Sequence, residues 1–544
     1  MYNQNNGGFY AAPQPPQYPP YGYPPQPVYQ PAPPKPKRSY SGFETLLAWV
    51  FLLIGFLFCR VSPVLTHPFG GFLLILAVYF TTFIFLAVKK IKLGGFSVAV
   101  GISGIIMALP LVLHATDFTS TLSYGYSVVA YLYFLYTAFT GYKKRFSNSL
   151  ILELFKVLFV LPFYSFVSVF RALFSGKASF SGKLLLKVFL GLAIAILPTA
   201  IILGLLSYDE AFMQLIRRIF DFTAYDVFLF VLDIGFAIPV AMYLFGLYVS
   251  CGDSVQDKVL TAKDCKTAFS KVQVAPAITV FAAVVPVVFV YVIFFISQWS
   301  YYISGFTGDL PSALSYSRYA REGFFQLCVV SVINMLLTLA VAIFAKRREG
   351  KRSGVLTVTA MIFSVCTLVL IATAIAKMVM YINNYGLTPK RVYATWFMVF
   401  LGIVFILLIL SRFIKKVKVL ALSLAVFAVM LAGLALPGTN RMIAGYNVDR
   451  YLAGSIEELD YYSMTDLGID GVPEFARLAK SLSDKGIDIS KSEFGEDRTE
   501  YDLHAFLRRQ GKILTREQEK RGLFSFNLAE KAAANALKSI GYME

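Results

Sequence analysis

A chain of 544 residues is long enough for several soluble domains, but 57% apolar against 15% charged residues, at a mean hydropathy of +0.64, is a balance that water-soluble folds do not have. The composition points to an integral membrane protein. The 50 Lys+Arg against 32 Asp+Glu leave +18, and in a membrane protein such an excess orients the spans rather than recruiting nucleic acid, so no nucleic-acid partner is expected.

Residues 1–40 hold 12 of the 24 prolines and seven tyrosines. Such a segment cannot bury enough apolar surface to fold, and a disordered cytoplasmic tail prone to polyproline II is expected. It lacks the short basic region and apolar core of a signal peptide. Pro15-Pro16-Gln17-Tyr18 has the form of a WW-domain ligand, against the plainer reading of a spacer.

From there, apolar runs long enough to cross a bilayer, which takes roughly 20 residues, fall near 43–61, 69–88, 96–114, 121–141, 184–206, 227–249, 275–298, 323–345, 354–381, 393–411 and 419–436. The expected fold is therefore all-α, a polytopic transmembrane bundle of about 11 spans over 41–436. Residues 150–172 are apolar but carry Glu153, Lys156 and Arg171 around Pro162. They read as short helices lying in the interface and broken at the proline.

Charge supports that choice. With the tail inside, 27 basic residues fall on the inner side, including Lys89, Lys90 and the Lys346–Arg352 cluster, and seven on the outer. A crossing at 150–172 would reverse every later loop against the positive-inside rule. The expectation is a plasma-membrane protein with its N-terminus cytoplasmic and its C-terminus extracytoplasmic. Beyond Pro437 the composition changes: residues 437–544 carry 18 acidic and 15 basic residues. Helical spacing at 470–484, 499–516 and 523–541 predicts a small all-helical extracytoplasmic domain, with Pro473 in a first turn.

Ionisable residues inside spans are functional candidates. Asp233 in the sixth span and Lys377 in the ninth qualify. Both fall near outer helix ends, where Lys377 can snorkel and Asp233 can reach interfacial water; anchoring, a mutual ion pair and a transport site are the alternatives. Asn334 reads as an interhelical hydrogen-bonder. In the loop 381–391, Gly386 permits a turn and Thr388-Pro389 opens the tenth helix. Arg391 in that first turn opposes the helix dipole, so an acidic residue of the C-terminal domain or a lipid phosphate is expected beside it. Asn447, Arg450 and Tyr451 share one helix face, placed either to pin the C-terminal domain to the span ends or to line a ligand site. Trp299, Tyr301, Tyr302, Tyr316 and Tyr319 suit an interfacial belt.

No phosphate-binding loop, nucleophile elbow or dinucleotide fingerprint appears. The five cysteines lack CxxC spacing and the three histidines lie far apart, so neither a metal nor a cofactor is expected. Asp466 and Asp470 only superficially resemble a calcium loop. The first outer loop, 60–68, has no acidic residue, which disfavours a membrane-embedded transferase.

Three stretches taken together, Tyr385-Gly-Leu-Thr388 with Arg391, Ile443-Ala444 with Asn447, Arg450 and Tyr451, and Phe524-Ser-Phe-Asn527-Leu528 with Ala532, resemble an uncharacterised family of bacterial multi-pass membrane proteins, common in Firmicutes and known only as a domain of unknown function. The similarity covers roughly 40–544. It departs from the family pattern at Asp466-Leu-Gly-Ile-Asp-Gly-Val-Pro473, where Leu-Gly-Ile stands in place of a tighter turn. The resemblance implies a multi-pass architecture with a helical C-terminal module and no particular activity. The function expected first is a non-enzymatic envelope scaffold, sensor or accessory subunit with the lipid bilayer and an envelope or signalling protein as partners. A small-molecule or lipid permease comes second and a transferase third.

Overall fold

The computed structural model describes residues 38–61, 68–115, 118–140, 150–174, 224–255, 275–297, 316–345, 354–414, 417–459, 461–491, 498–519 and 526–543, with a few isolated positions between 191 and 273. The tail up to residue 37, most of the expected span at 184–206, the Lys346–Arg352 cluster and the aromatics Trp299, Tyr301 and Tyr302 lie outside the described residues. Those described are helical throughout, apart from one β-bridge between Ala275 and Ala345.

The first group of helices is α1 (Gly42–Val61), α2 (Pro68–Val88), α3 (Gly95–Ile106), α4 (Pro110–Leu113), α5 (Phe118–Thr140), α6 (Leu150–Phe159), α7 (Leu161–Tyr164), α8 (Ser168–Leu173) and α9 (Ala224–Gly252). α1 and α9 cross where Gly55 meets the Ala237 carbonyl so closely that no side chain fits between them; small residues permit such approaches in membranes. Rings fill the core, with Phe85 edge-on to Tyr248 at 4.3 Å between centroids. The second group is α10 (Ala277–Ser297), α11 (Tyr316–Phe344), α12 (Gly354–Tyr385) and α13 (Pro389–Phe413). Asn334 ties it together, donating to Thr367 at 2.9 Å and accepting from the Tyr291 hydroxyl. The helix α14 (Val419–Ala435) packs on both α13 and α5 and joins the groups.

Among the described residues, eight helices are long and apolar enough to cross a membrane, or nine if α14 and α15 (Thr439–Leu452), bent by 57°, form one span. The expected span at 121–141 does form a helix, α5, but is not among the eight. Its Ser120, Ser123 and Ser127 are buried, and Ser127 donates to the Gly104 carbonyl at 2.7 Å. It is an interior helix whose hydroxyls serve its neighbours.

Residues 150–173 form three short helices, broken around Val160 and again at Ser165–Val167. Backbone freed by such breaks must find partners away from water. Here Tyr243 of α9 donates to the Leu158 carbonyl at 2.9 Å and Ser250 to that of Leu161 at 2.7 Å. Thr45 of α1 reaches the Ala172 carbonyl at 3.0 Å. The broken segment thus packs at the end of the bundle where α1 begins and α9 ends.

The C-terminal helices are α15, α16 (Tyr461–Asp484), α17 (Arg498–Glu519) and α18 (Leu528–Ser539). α16 is interrupted at Gly468 (φ 57°, ψ −147°), and Pro473, expected in a first turn, lies five residues past the break, inside the resumed helix. Met464, Phe475, Phe506 and Leu537 lie at the centre of their own apolar core, and Leu387 and Val392, from the α12–α13 turn and the start of α13, pack against it. The C-terminal core therefore grips the connection between two spans.

Candidate functional site

Helix ends sort to two faces of the bundle. On one face the start of α1 meets the ends of α2 and α9. Ser41 and Glu44 form a reciprocal cap, with Glu44 N–H donating to Ser41 Oγ at 3.3 Å and Ser41 N–H to Glu44 Oε2 at 3.0 Å. The Glu44 carboxylate, on a buried residue, also pairs with Arg38 at 3.2 Å and Lys89 at 3.5 Å, and Arg38 reaches Asp253. On the opposite face, Arg60 at the end of α1 pairs with Asp233 at 3.3 Å, and there the C-terminal helices dock.

The dock has two centres. At the first, α12 ends at Tyr385 and Gly386 turns the chain with φ +70°. Thr388 then caps α13, accepting from Arg391 N–H at 3.4 Å. Between these turns Leu387 runs without helical partners for its backbone, and Asn447 of α15 supplies both. Leu387 N–H donates to Asn447 Oδ1 at 2.7 Å, and Asn447 Nδ2 donates to the Leu387 carbonyl at 2.8 Å. A Cβ on Gly386 would stand 2.7 Å from Asn447 Oδ1, so glycine is required there for its backbone angle and for the approach of α15.

Two guanidiniums finish this centre. Arg391 donates to the Tyr385 carbonyl at 2.8 Å and to that of Gly386, and lies 4.1 Å from the centre of the Tyr381 ring. Arg450 donates to the Asn383 carbonyl at 2.9 Å and the Tyr446 hydroxyl at 3.0 Å. Neither an acidic residue nor a phosphate is needed to explain Arg391. Its placement at the start of α13 is unfavourable for a cation, but the same position brings it against the carbonyl-rich, negative end of α12.

The second centre is the turn after α4. His114 Nε2 lies 2.9 Å from the Leu436 carbonyl; a carbonyl only accepts, so Nε2 carries the proton. The imidazole rests on Gly438 (φ +81°), where a Cβ would come within 2.6 Å of it. The His114 carbonyl accepts from Asn527 Nδ2 at 2.6 Å, while Asn527 Oδ1 caps α18 through Ala529 N–H at 2.8 Å. Ala115 N–H donates to both carboxylate oxygens of Asp470, each at 3.1 Å, and Asp470 is buried. The kink of α16 at Gly468 stands two residues before Asp470.

Of the residues singled out from sequence, the structure brings Arg391, Asn447 and Arg450 together. Tyr451 turns from them to Glu500 Oε1 at 3.2 Å and so serves the C-terminal core. Asp233 stands apart, paired with Arg60. Lys377 is 8% exposed, and α12 continues eight residues past it, about 12 Å at 1.5 Å per residue, so it stands further from its helix end than the apolar run marks. His114 and Asp470 were not singled out as site residues, since their partners are carbonyls and amides far away in the chain; Glu44 was missed although Ser41, three residues before it, is a local capping signal.

A polar concavity lies among the C-terminal helices, where α16 and α18 end. It has about 930 Å³ and is lined by Lys480, Asp484, His504, Arg508 and Tyr542. His504 Nδ1 and the Tyr542 hydroxyl lie 2.6 Å apart; burial, and then Arg508, push the His504 pKa below its ordinary value. Among the described residues no group of three His, Cys, Asp or Glu is placed to hold a metal ion.

No curated protein and no solved structure matches the chain. A family match runs over residues 101–478, narrower than the 40–544 expected. It begins within α3 and ends within α16, so it includes the Leu387–Asn447 clasp and the Ala115–Asp470 contact but not Asn527. Covering well over half of the sequence, this match shows that the chain belongs to the family described as a domain of unknown function, DUF4153.

Proposed function

We propose that this multi-pass membrane protein is a non-enzymatic component of the bacterial cell envelope. Its spans hold a helical C-terminal domain (437–544) on the extracytoplasmic side and the Pro/Tyr-rich tail on the cytoplasmic side, and it serves as a scaffold, sensor or accessory subunit for an envelope or signalling protein. The observation that carries this reading is the dock. Backbone groups of two separate inter-helix turns, at Ala115 and Leu387, are taken up by side chains of the C-terminal helices. Such a contact holds a domain in a fixed pose against the spans and ties any load on it to the bundle. The permease alternative leaned on Asp233 and Lys377; the Arg60 pair at one end of the bundle gives Asp233 an anchoring role instead.

The side of the membrane follows from the charge pattern, with the Arg38–Lys89 face inside. In a variant without native cysteines, Ser455→Cys should react with a membrane-impermeant maleimide in intact cells, and Glu349→Cys only after permeabilisation. The reverse pattern would sink the orientation. Crosslinking in cells then tests the role: a partner captured at the C-terminal domain supports it, whereas solute uptake that depends on the protein would favour the permease.

A further inference from the structure

The second helix group carries a groove of about 190 Å³ at the end away from the dock. The dock takes the end of α12 and the start of α13, whereas the groove is lined by Thr359 near the start of α12 and by Ser411 and Arg412 in the last turn of α13. Val284 of α10, Val341 of α11 and Val419 of α14 give it apolar walls. Along α11 the lining runs from Leu337 to Ala345, about 12 Å at 1.5 Å per residue. Among the described residues, Arg412 is the one charged group on this lining.

Arg412 is half-buried, yet among the described residues no hydrogen bond or ion pair reaches its guanidinium. Arg391, at the other end of α13, is satisfied by the carbonyls that close α12. Arg412 lacks that outlet, because the Leu410 and Phe344 carbonyls at the ends of α13 and α11 already accept from the Ile414 and Ala275 N–H groups at 2.8 and 3.1 Å. A guanidinium whose donors face an apolar groove without an acceptor is costly to bury, and an anion held in its fork removes that cost. The neighbouring sequence has the same sign. The stretches 346–353 and 414–418, which follow α11 and α13, hold eight basic residues against one acidic, Glu349.

We propose that the groove seats one anionic phospholipid from the leaflet at this end of the bundle, its phosphate paired with the Arg412 guanidinium and the upper part of an acyl chain laid along Val284 and Val341. Charge complementarity selects the headgroup. A phosphodiester matches the planar fork of arginine, and a lipid of net negative charge avoids the repulsion that an ammonium headgroup meets beside so basic a stretch of chain. The apolar walls select a lipid over free phosphate, since only an acyl chain can cover them.

Two experiments on the full-length protein test this. Native mass spectrometry of protein taken from vesicles of equal phosphatidylglycerol and phosphatidylethanolamine should find one phosphatidylglycerol retained per chain. Arg412→Gln should reduce that retention by about tenfold or more, the loss expected for a charge-assisted hydrogen bond, and the outward-facing control Val329→Phe should leave it unchanged. Equal retention in the Arg412 variant and the unaltered protein, or of both lipids by the unaltered protein, would overturn the assignment. Where the Arg412 variant elutes as an aggregate, the unaltered protein decides. After delipidation, phosphatidylglycerol should raise its melting temperature and inorganic phosphate alone should not, and phosphatidylglycerol with a diazirine on its acyl chain should label peptides containing Val284 or Val341. Equal stabilisation by inorganic phosphate, or adducts confined to outward-facing residues such as Phe80, would contradict the proposal.

Discussion

The two ends of the bundle are held by different physics. At the Arg38–Lys89 end, ions bind ions: Glu44, Arg38, Lys89 and Asp253 fasten α1, α2 and α9 together. At the docking end, carboxamides, a carboxylate and guanidiniums bind backbone amides and carbonyls of turns and helix ends. Around the buried Glu44, the partly exposed charges of Arg38, Lys89 and Asp253 are screened by salt and can find other partners. A backbone amide held in a turn beneath a docked helix is fixed in place, so losing its partner leaves its hydrogen bond unmade. The first end is a clamp that tolerates change, and the second is a fit that does not.

That contrast can be broken from either side. The largest effect is expected from Gly386→Val, which forces a β-branched residue to φ +70° and drives its Cβ at Asn447. A loss of about 3 kcal/mol is expected, with melting of the C-terminal helices and proteolysis between α16 and α17. Asn447→Leu should cost about 2–3 kcal/mol by orphaning both backbone groups of Leu387, and its thermal shift should be the same at low and high salt. Glu44→Gln at the other end should cost less, about 1–2 kcal/mol, and the difference from the unaltered protein should shrink between about 0.1 and 1 M salt, as the Debye length falls from about 10 to 3 Å. Equal salt dependence for the Asn447 and Glu44 variants would erase the distinction between the ends.

The smallest effect is a pH dependence of the C-terminal helices. The folded state holds the His504 pKa below its ordinary value, so on acidification the unfolded chain takes up the proton first. Stability is therefore expected to fall as the pH drops through about 6.5, the ordinary histidine value. Calorimetry of His504→Asn beside the unaltered protein should show that part of the slope removed.

How much of this was legible in the sequence depends on the distance over which each feature acts. Apolar runs marked ten stretches that form described helices, and Gly386, Thr388 and Pro389 marked the turn between α12 and α13, because length, turn chemistry and capping are local properties. The shared face of Asn447 and Arg450 was readable for the same reason. The partners were not. Asp470 offered only a superficial likeness to a calcium loop and His114 stood as an isolated ring, since an Ala115 amide and a Leu436 carbonyl leave no mark on residue type. The distance of Lys377 from its helix end was not legible, because the helix continues to Tyr385 through Asn383 and Asn384, which an apolar run does not include.

The dock stands or falls on two amide protons. Residue-resolved hydrogen exchange should find Leu387 N–H and Ala115 N–H protected in the unaltered protein, although both lie in turns. Asn447→Ala should release the first and leave the second slower, and Asp470→Ala should do the reverse. Rapid exchange of both amides in the unaltered protein would show that the C-terminal helices are not docked on the span ends and would contradict the account at its centre.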